Sequence, residues 1–296
     1  MSIHRNILHN GRIREAAGQE LRAGQLGLLA GWGVFTTLRI VDGVPFAWDR
    51  HWARMSRDAR LTNVAMPDNP AQVEQGLLQL IEANGRPDCT LRLVVVRNSG
   101  GMWEGRESSE NPTDVIALTA DSKKWAPSVR LGLQPMARFA GNEFAGAKIL
   151  SWAQNLTWAE RAQQRGLDEV ILLNQHERIA ECTSANVFAI FGSEVVTPPL
   201  ADGCLPGVTR EVLLEAVQVP GLTVSERPLK VDDLFRADEV FITSTTRDLL
   251  PVSEVAGRAL RSVTGGPREQ LLQSFREYLA GDIARRKAAH AIAVTK

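Results

Sequence analysis

Cysteine is scarce. Cys89, Cys182 and Cys204 are an odd count with no CxxC pair, which excludes a disulfide framework and a zinc knuckle. Charge of one sign is missing too: Lys plus Arg and Asp plus Glu each number 34, for a net charge of zero. A chain that neutralises a phosphate backbone carries a basic excess, so nucleic acid is not the expected partner. No apolar run nears the roughly 18–20 residues of a membrane span; Leu91–Val96 has only the length of a strand. The histidines (His4, His9, His51, His176, His290) form no HxxxH or HExxH pair, so no metal is expected. Residues Met1–Asn6 show no apolar stretch followed by a cleavage site, and a cytoplasmic enzyme is the expectation.

What is present is ordinary globular material. The chain has 296 residues, 44% hydrophobic and 23% charged, enough for one large or two medium domains. Residues 1–50 read as a meander, with β-branched Gly33–Val41 turning at Asp42-Gly43 into a returning strand Val44–Trp48. Asp49 is placed to cap a helix over Arg50–Asn63, and Asp68-Asn-Pro70 opens another that Asn84-Gly85 closes. Thr90–Arg97 and Val115–Thr119 read as strands around a loop at Asn98–Asn111, and the polar stretch 121–128 reads as a linker. Beyond it follow a strand Val129–Pro135, a helix Ser151–Arg165, and strands Glu169–Leu173, Asn186–Phe191 and Glu194–Thr197. A helix Thr209–Ala216 with Thr209 as N-cap, a strand Val240–Ser244 and a final helix Pro267–Ala280 complete the reading. The class is α+β with mostly antiparallel strands, in domains 1–120 and 129–296.

Nucleotide and hydrolase signatures (GxxxxGK[ST], a GxGxxG opening a helix, GxSxG) are absent, and four segments carry what chemistry there is. Lys148, in Gly146-Ala-Lys-Ile-Leu-Ser-Trp152, is a lysine among small and apolar residues at an expected helix start. Such surroundings favour the uncharged amine that attacks carbonyls, although a lysine snorkelling from a half-buried helix end reads the same way. Glu181 stands in small polar residues just before a strand, as an ordinary turn carboxylate also could. Leu205-Pro-Gly207-Val-Thr209-Arg210 leads into a helix whose N–H groups suit phosphate, or are simply capped. Phe241–Thr246 ends a strand in hydroxyls.

In this order and spacing the segments resemble the class IV aminotransferases, the fold-type IV pyridoxal-phosphate enzymes. The likeness extends from Gly31–Arg39 and His51-Trp-Ala-Arg54 to Glu239–Thr246 and Pro251-Val252. It implies a small N-terminal α/β sandwich domain and a larger C-terminal pseudo-barrel domain with pyridoxal 5'-phosphate between them. It also implies a homodimer that handles a small-molecule amino donor and a 2-oxo acid acceptor. Lys148 would hold the cofactor as a Schiff base and shuttle the proton. Glu181 would face the pyridine nitrogen and keep it protonated. Arg54 would grip the phosphate with forked donors, completed by Gly207, Val208, Thr209 and Thr245, with Leu205 against the ring. Phe35, Thr37, Arg92 and Thr246 would line the substrate side.

Subgroup marks diverge. Phe35-Thr36-Thr37 and Ala180–Asn186 are similar to the aminodeoxychorismate lyases, whereas many aminotransferases carry Glu at the position of Thr36. Leu205–Arg210 and Thr243–Thr246 are similar to aminotransferases. Met102 stands where the D-amino-acid and lyase subgroups place a carboxylate-trapping arginine; Arg106 lies nearby, and Arg92 matches an arginine of branched-chain enzymes. Trp152 makes the wall beside Lys148 bulkier and more apolar. The expectation is a ping-pong aminotransferase with an apolar or branched-chain donor. The alternatives are a 4-amino-4-deoxychorismate lyase releasing pyruvate and a non-catalytic binding protein on the same fold. Cys182 is expected to be a small packed side chain, the tryptophans to be packing with Trp32 and Trp103 near the pocket, and Arg285–Lys287 a solvated helix end.

Overall fold

The computed structural model describes residues 2–17, 26–98, 100, 111–261 and 263–294. The chain packs into two units: Met1–Lys123 with Lys148–Trp152 and Gly281–Lys296, and Lys124–Ala147 with Ala153–Ala280. This packing is not the linear division placed at 121–128. The stretch around Lys148 and the C-terminal stretch belong with the first unit because their backbone and side-chain bonds are made there.

In the first unit, β1 (Ile3–His9) and β2 (Arg12–Glu15) form a hairpin, and α1 (Leu26–Ala30) precedes β3 (Gly33–Val41) and the short β4 (Val44–Pro45). Helices α2 (Trp48–Leu61) and α3 (Pro70–Asn84) follow, then β5 (Cys89–Arg97) and β6 (Thr113–Ala120). The antiparallel sheet runs β2-β1-β6-β5-β3-β4. Its period-2 alternation sends Val34, Leu38, Leu91, Leu93 and Val95 into a core shared with Trp48, Met55, Leu77 and Leu80. Each such side chain contributes about 1.5–3 kcal/mol through burial. Phe35, Thr37, Arg92 and Val94 share the opposite face. Asp42 and Gly43 both take positive φ (51° and 79°), as the expected hairpin turn requires.

The returning strand stops early. Ala47 turns left-handed (φ 52°) and α2 begins at Trp48, so Asp49 lies inside the first turn rather than at the cap. The Ala47 N–H is taken instead by Asp282 Oδ2 at 2.9 Å, a partner from the C-terminal helix. By contrast α3 starts as expected, with Asn69 accepting from the N–H groups of Ala71 and Gln72, and ends at Gly85 (φ 59°).

The second unit contains β7 (Val129–Arg138), α4 (Ala153–Gln164), β8 (Glu169–Asn174), β9 (Ile179–Cys182), β10 (Asn186–Phe191) and β11 (Glu194–Thr197). A single 3₁₀ turn at Leu200–Asp202 leads to α5 (Val208–Glu215), β12 (Thr223–Glu226), α6 (Val231–Arg236), β13 (Glu239–Ser244), β14 (Asp248–Val255) and β15 (Arg258–Ala259). The final α7 (Pro267–Val294) extends well past Ala280, and its second half belongs to the first unit. The nine-stranded sheet has the order β12-β11-β10-β13-β14-β7-β8-β9, with β15 on β14, and it curls. Runs buried on both faces (Glu169–Asn174, Asn186–Ile190, Glu239–Thr243) account for the lack of period-2 alternation in these strands.

The middle of the Arg285–Lys287 run is buried. Arg286 is only 9% exposed and binds Asp282, Asp49 and Glu74, so the Arg285–Lys287 run is not a solvated end. Only its flanking members, Arg285 and Lys287, reach solvent. Among the described residues, no helix is long and apolar enough to cross a membrane, and no cluster of His, Cys, Asp or Glu could hold a metal.

Candidate active site

β4 pairs only with the last residues of β3, at Ile40 and Val41. The edge at Gly33–Phe35 therefore needs another partner for its backbone groups. Residues 148–150 supply it. The Phe35 N–H donates to Lys148 O at 3.1 Å, the Leu150 N–H donates to Gly33 O at 2.9 Å, and Val34 bridges Ile149. Lys148 thus sits beside a single antiparallel bridge on the edge of β3. It is not at a helix start, because α4 begins only at Ala153. The lysine's own N–H donates to Asp58 Oδ2 at 3.1 Å.

The Lys148 amine lies 4.5 Å from the Phe35 ring centre and 5.1 Å from that of Trp152, and the two rings meet edge to face at 5.6 Å. The Arg92 guanidinium stacks on the same Phe35 ring at 4.7 Å. Burial pulls its pKa down from the usual arginine value. Thr37 sits opposite Arg92 in the β3–β5 register. Lys148, Phe35, Trp152 and Arg92 therefore meet in one cluster of the first unit, with Thr37 beside it.

On the other face of β3, helix α2 turns His51, Arg54 and Asp58 inward at i, i+3 and i+7. Arg54 Nη2 donates to Thr36 Oγ1 at 2.8 Å, and Thr36 Oγ1 lies 2.7 Å from His51 Nδ1. Arginine only donates, so Thr36 Oγ1 accepts from Arg54, and it meets His51 Nδ1 as donor or acceptor according to the tautomer of the ring. A neutral ring agrees with its surroundings. Burial first, then the charges of Arg54, Lys148 and Arg286, hold the His51 pKa well below 6.5.

Within the second unit, Glu181 occupies a strand of its own, β9, paired to β8 at Leu172, rather than the turn expected from the sequence. It is 8% exposed. Oε2 accepts the Leu205 N–H at 3.0 Å, and Oε1 accepts from Arg138 Nη2 at 3.3 Å, while Arg138 also reaches Asn155. Past Leu205, the N-cap of α5 is Gly207 rather than Thr209, with no side-chain cap. Val208 and Thr209 are buried in the first turn, so their N–H groups point ahead of the helix. A methyl on Gly207 would overlap Asn186 Oδ1, whose amide donates to Leu205 O at 2.8 Å. Thr245 and Thr246 form the turn between β13 and β14, and Arg247 ties that turn to Glu169 and Ser184.

Thr36, His51, Asp58, Arg138, Asn186 and Arg247 were not singled out as site residues. Only Asp58 carried a local signal, a carboxylate on the apolar stripe of an amphipathic helix; the others depend on distant partners. Arg97 packs over the Trp32 ring at 4.2 Å and donates to Asn63 O, which gives it a structural task. Burial raises the Cys182 thiol pKa, consistent with an inert packed side chain. Met102, Trp103 and Arg106 lie outside the described residues.

By their chemistry, the first unit offers an amine that an aldehyde would take and a guanidinium for a dianion, and the second offers a buried carboxylate for a ring nitrogen and a helix start with no side-chain cap. The model of the family Amino-transferase class IV matches residues 33–255. The chain belongs to this family, and class IV aminotransferases use pyridoxal phosphate. It is 28% identical to the D-alanine aminotransferase of Bacillus licheniformis over 285 residues, 90% of this chain and 94% of the relative. It is 25% identical to the branched-chain-amino-acid aminotransferase of Escherichia coli K12, with 85% of each covered. The fold is that of the branched-chain aminotransferase from the thermophilic archaeon Thermoproteus uzoniensis, solved with norvaline, at TM-score 0.84 and 22% identity, covering 94% of this chain and 96% of that one. The protein is an enzyme of this class and carries the fold-type IV architecture.

Proposed function

We propose that this aminotransferase takes its amino group from an apolar, branched-chain amino acid and passes it to a 2-oxo acid in two half-reactions. When bound, pyridoxal phosphate supplies an electron sink for charge developing at the carbon that bears the amino group. Lys148 holds the cofactor through its amine and, once displaced, moves the proton at the substrate α-carbon. Glu181 keeps a proton on the ring nitrogen, and its bonds to Arg138 and the Leu205 N–H fix its orientation. Arg54, the N–H groups of Val208 and Thr209 after Gly207, and Thr245 hold the phosphate. Leu205 would supply an apolar contact to the cofactor. Thr37 and Thr246 line the substrate side.

The observation that carries the donor assignment is the Phe35–Trp152 pair beside the Lys148 amine, with Arg92 on the same ring. Two apolar rings exclude water from the donor side chain, and one guanidinium answers its carboxylate. The Thr36 hydroxyl, similar to the lyases in sequence, is engaged with His51 and Arg54 and needs no lyase role. A homodimer working in the cytoplasm belongs to the same proposal. Free, buried Cys89, Cys182 and Cys204 suit a reducing compartment.

The test is a half-reaction on the yellow protein without acceptor. Branched-chain L-amino acids, L-glutamate, D-alanine and an (R)-arylamine are added singly, and the visible band is followed. Fastest bleaching by a branched-chain L-amino acid is expected. D-alanine as the fastest donor would overturn the branched-chain assignment. No bleaching with any donor would turn the reading to the lyase, read next by pyruvate release from aminodeoxychorismate. Lys148→Ala is expected to lose the yellow chromophore, and full turnover by that variant would unseat the lysine.

A further inference from the structure

We infer that Asp58 is a positioning residue for Lys148, an inference that rests on Lys148 being the lysine that holds the cofactor. The Asp58 side chain is 1% exposed. A buried carboxylate is costly unless hydrogen-bonded on both sides, and an apolar residue would fill the inner stripe of α2 more cheaply. Both oxygens are used. Oδ1 accepts from Arg57, a neighbour on the same helix whose guanidinium is half-exposed. Oδ2 accepts the main-chain N–H of Lys148, ninety positions along the chain, at 3.1 Å.

That bond does what the neighbouring strand does elsewhere. The Lys148 carbonyl and the Leu150 N–H pair with β3, but the Lys148 N–H is served by the Asp58 side chain. The lysine peptide is thus clamped on both sides, by Phe35 at its carbonyl and by Asp58 at its nitrogen. A charged acceptor on a backbone N–H is stronger than a neutral one. The clamp also has a common base. Arg54, one helical turn from Asp58, holds Thr36, the residue next to Phe35. One rigid helix therefore sets the lysine backbone and the arginine assigned to the phosphate in a fixed relation.

Two substitutions separate acceptor from charge. Asp58→Asn can keep its one oxygen on the Lys148 N–H, with its NH2 toward Arg57, a half-exposed side chain that can turn to solvent; Asp58→Leu keeps the bulk and removes the acceptor. Pyridoxal phosphate affinity is measured by equilibrium dialysis. Its attachment is measured by borohydride fixation and peptide mass, exchange of the Lys148 amide by hydrogen exchange, and turnover as kcat and KM separately. The Asn variant is expected to stay within about threefold of wild type throughout. The Leu variant is expected to melt cooperatively, bind the cofactor at least tenfold more weakly, exchange the Lys148 amide faster, and lose kcat with KM little changed. Equal cofactor affinity, amide exchange and kcat in the Leu variant overturn the inference. So does an Asn variant as impaired as Leu. Should the Leu variant not fold, Asp58→Ser, whose hydroxyl is too short to reach, takes its place with the same outcomes. Fixation of the wild-type cofactor at a lysine other than Lys148 would instead refute the site reading on which the inference rests.

Discussion

Replacing Thr36 by Val tests the buried face of β3 in one step. Thr36 is 0% exposed, and its hydroxyl is shared between Arg54 and His51. Valine fills the same space without the hydroxyl, which is why this exchange is not conservative in a core. Two losses follow. The hydrogen bond from a charged guanidinium is removed, a loss of about 1.5–3 kcal/mol. His51 Nδ1 is then left unpaired, and since Nε2 already lacks a partner among the described residues, the whole ring would be unsatisfied. A buried unsatisfied polar group costs about 1–3 kcal/mol. Allowing for overlap, we expect a destabilisation of about 2–4 kcal/mol, seen as a fall in melting temperature of roughly 3–6 °C for a chain of this size. Because Arg54 loses the acceptor that aims it, pyridoxal phosphate should also bind roughly tenfold more weakly, a difference of about 1.4 kcal/mol. Thr36→Ser keeps the hydroxyl and should recover most of both. The assays are differential scanning calorimetry of the apo-protein and equilibrium dialysis of the cofactor. A valine variant that melts and binds as wild type does would refute the hydroxyl bridge.

Two further predictions concern charge. His51 is neutral in the folded protein with a depressed pKa, so below about pH 6.5 the unfolded chain binds a proton that the folded one does not. Stability should therefore fall as pH drops from 6.5, by up to about 1.4 kcal/mol per pH unit from this group. In His51→Asn, chemical denaturation across pH 5–7 should show a shallower fall; an unchanged slope would mean His51 is not the group. Arg286→Met removes a cation shared by three carboxylates, of which Asp282 keeps Arg285, and should destabilise by about 1–3 kcal/mol, whereas Lys287→Met, on the exposed side of the same helix, should stay within about 0.5 kcal/mol. Urea denaturation of the two variants distinguishes them, and equal effects would return the run to a solvated role.

How much of this was legible in the sequence depended on how local its cause was. The β3 strand, its Asp42-Gly43 turn, and α3 opening at Asp68-Asn-Pro70 and stopping at Gly85 all follow from neighbouring residues, and the structure has them there. The start of α2 was misplaced because Asp282, far along the chain, serves the Ala47 N–H. The helix beginning at Ser151 was placed too early because the propensity of 148–152 is overridden by pairing with Gly33–Phe35. Arg286 looked solvated because Asp49 and Glu74 lie more than two hundred positions away. Of the proposed site residues, those in short runs such as Leu205–Thr209 announce themselves as a run. The side chains that hold them, Arg138, Asn186 and Arg247, carry no pattern at all.

The way the lysine segment bridges β3 bears on any attempt to dissect the protein. A fragment ending near Lys123 would contain all six strands of the first sheet, yet the edge at Gly33–Phe35 would be left with bare N–H and C=O groups, an invitation to pair with other chains. It would also lack Asp282 and Arg286, which tie down the start of α2. Such a piece is expected to aggregate. A soluble version would need a synthetic peptide spanning 146–152 and the tail from Gly281 supplied in trans, which makes fragment complementation, with Lys148 on the smallest fragment, a route to placing unnatural amines at that position.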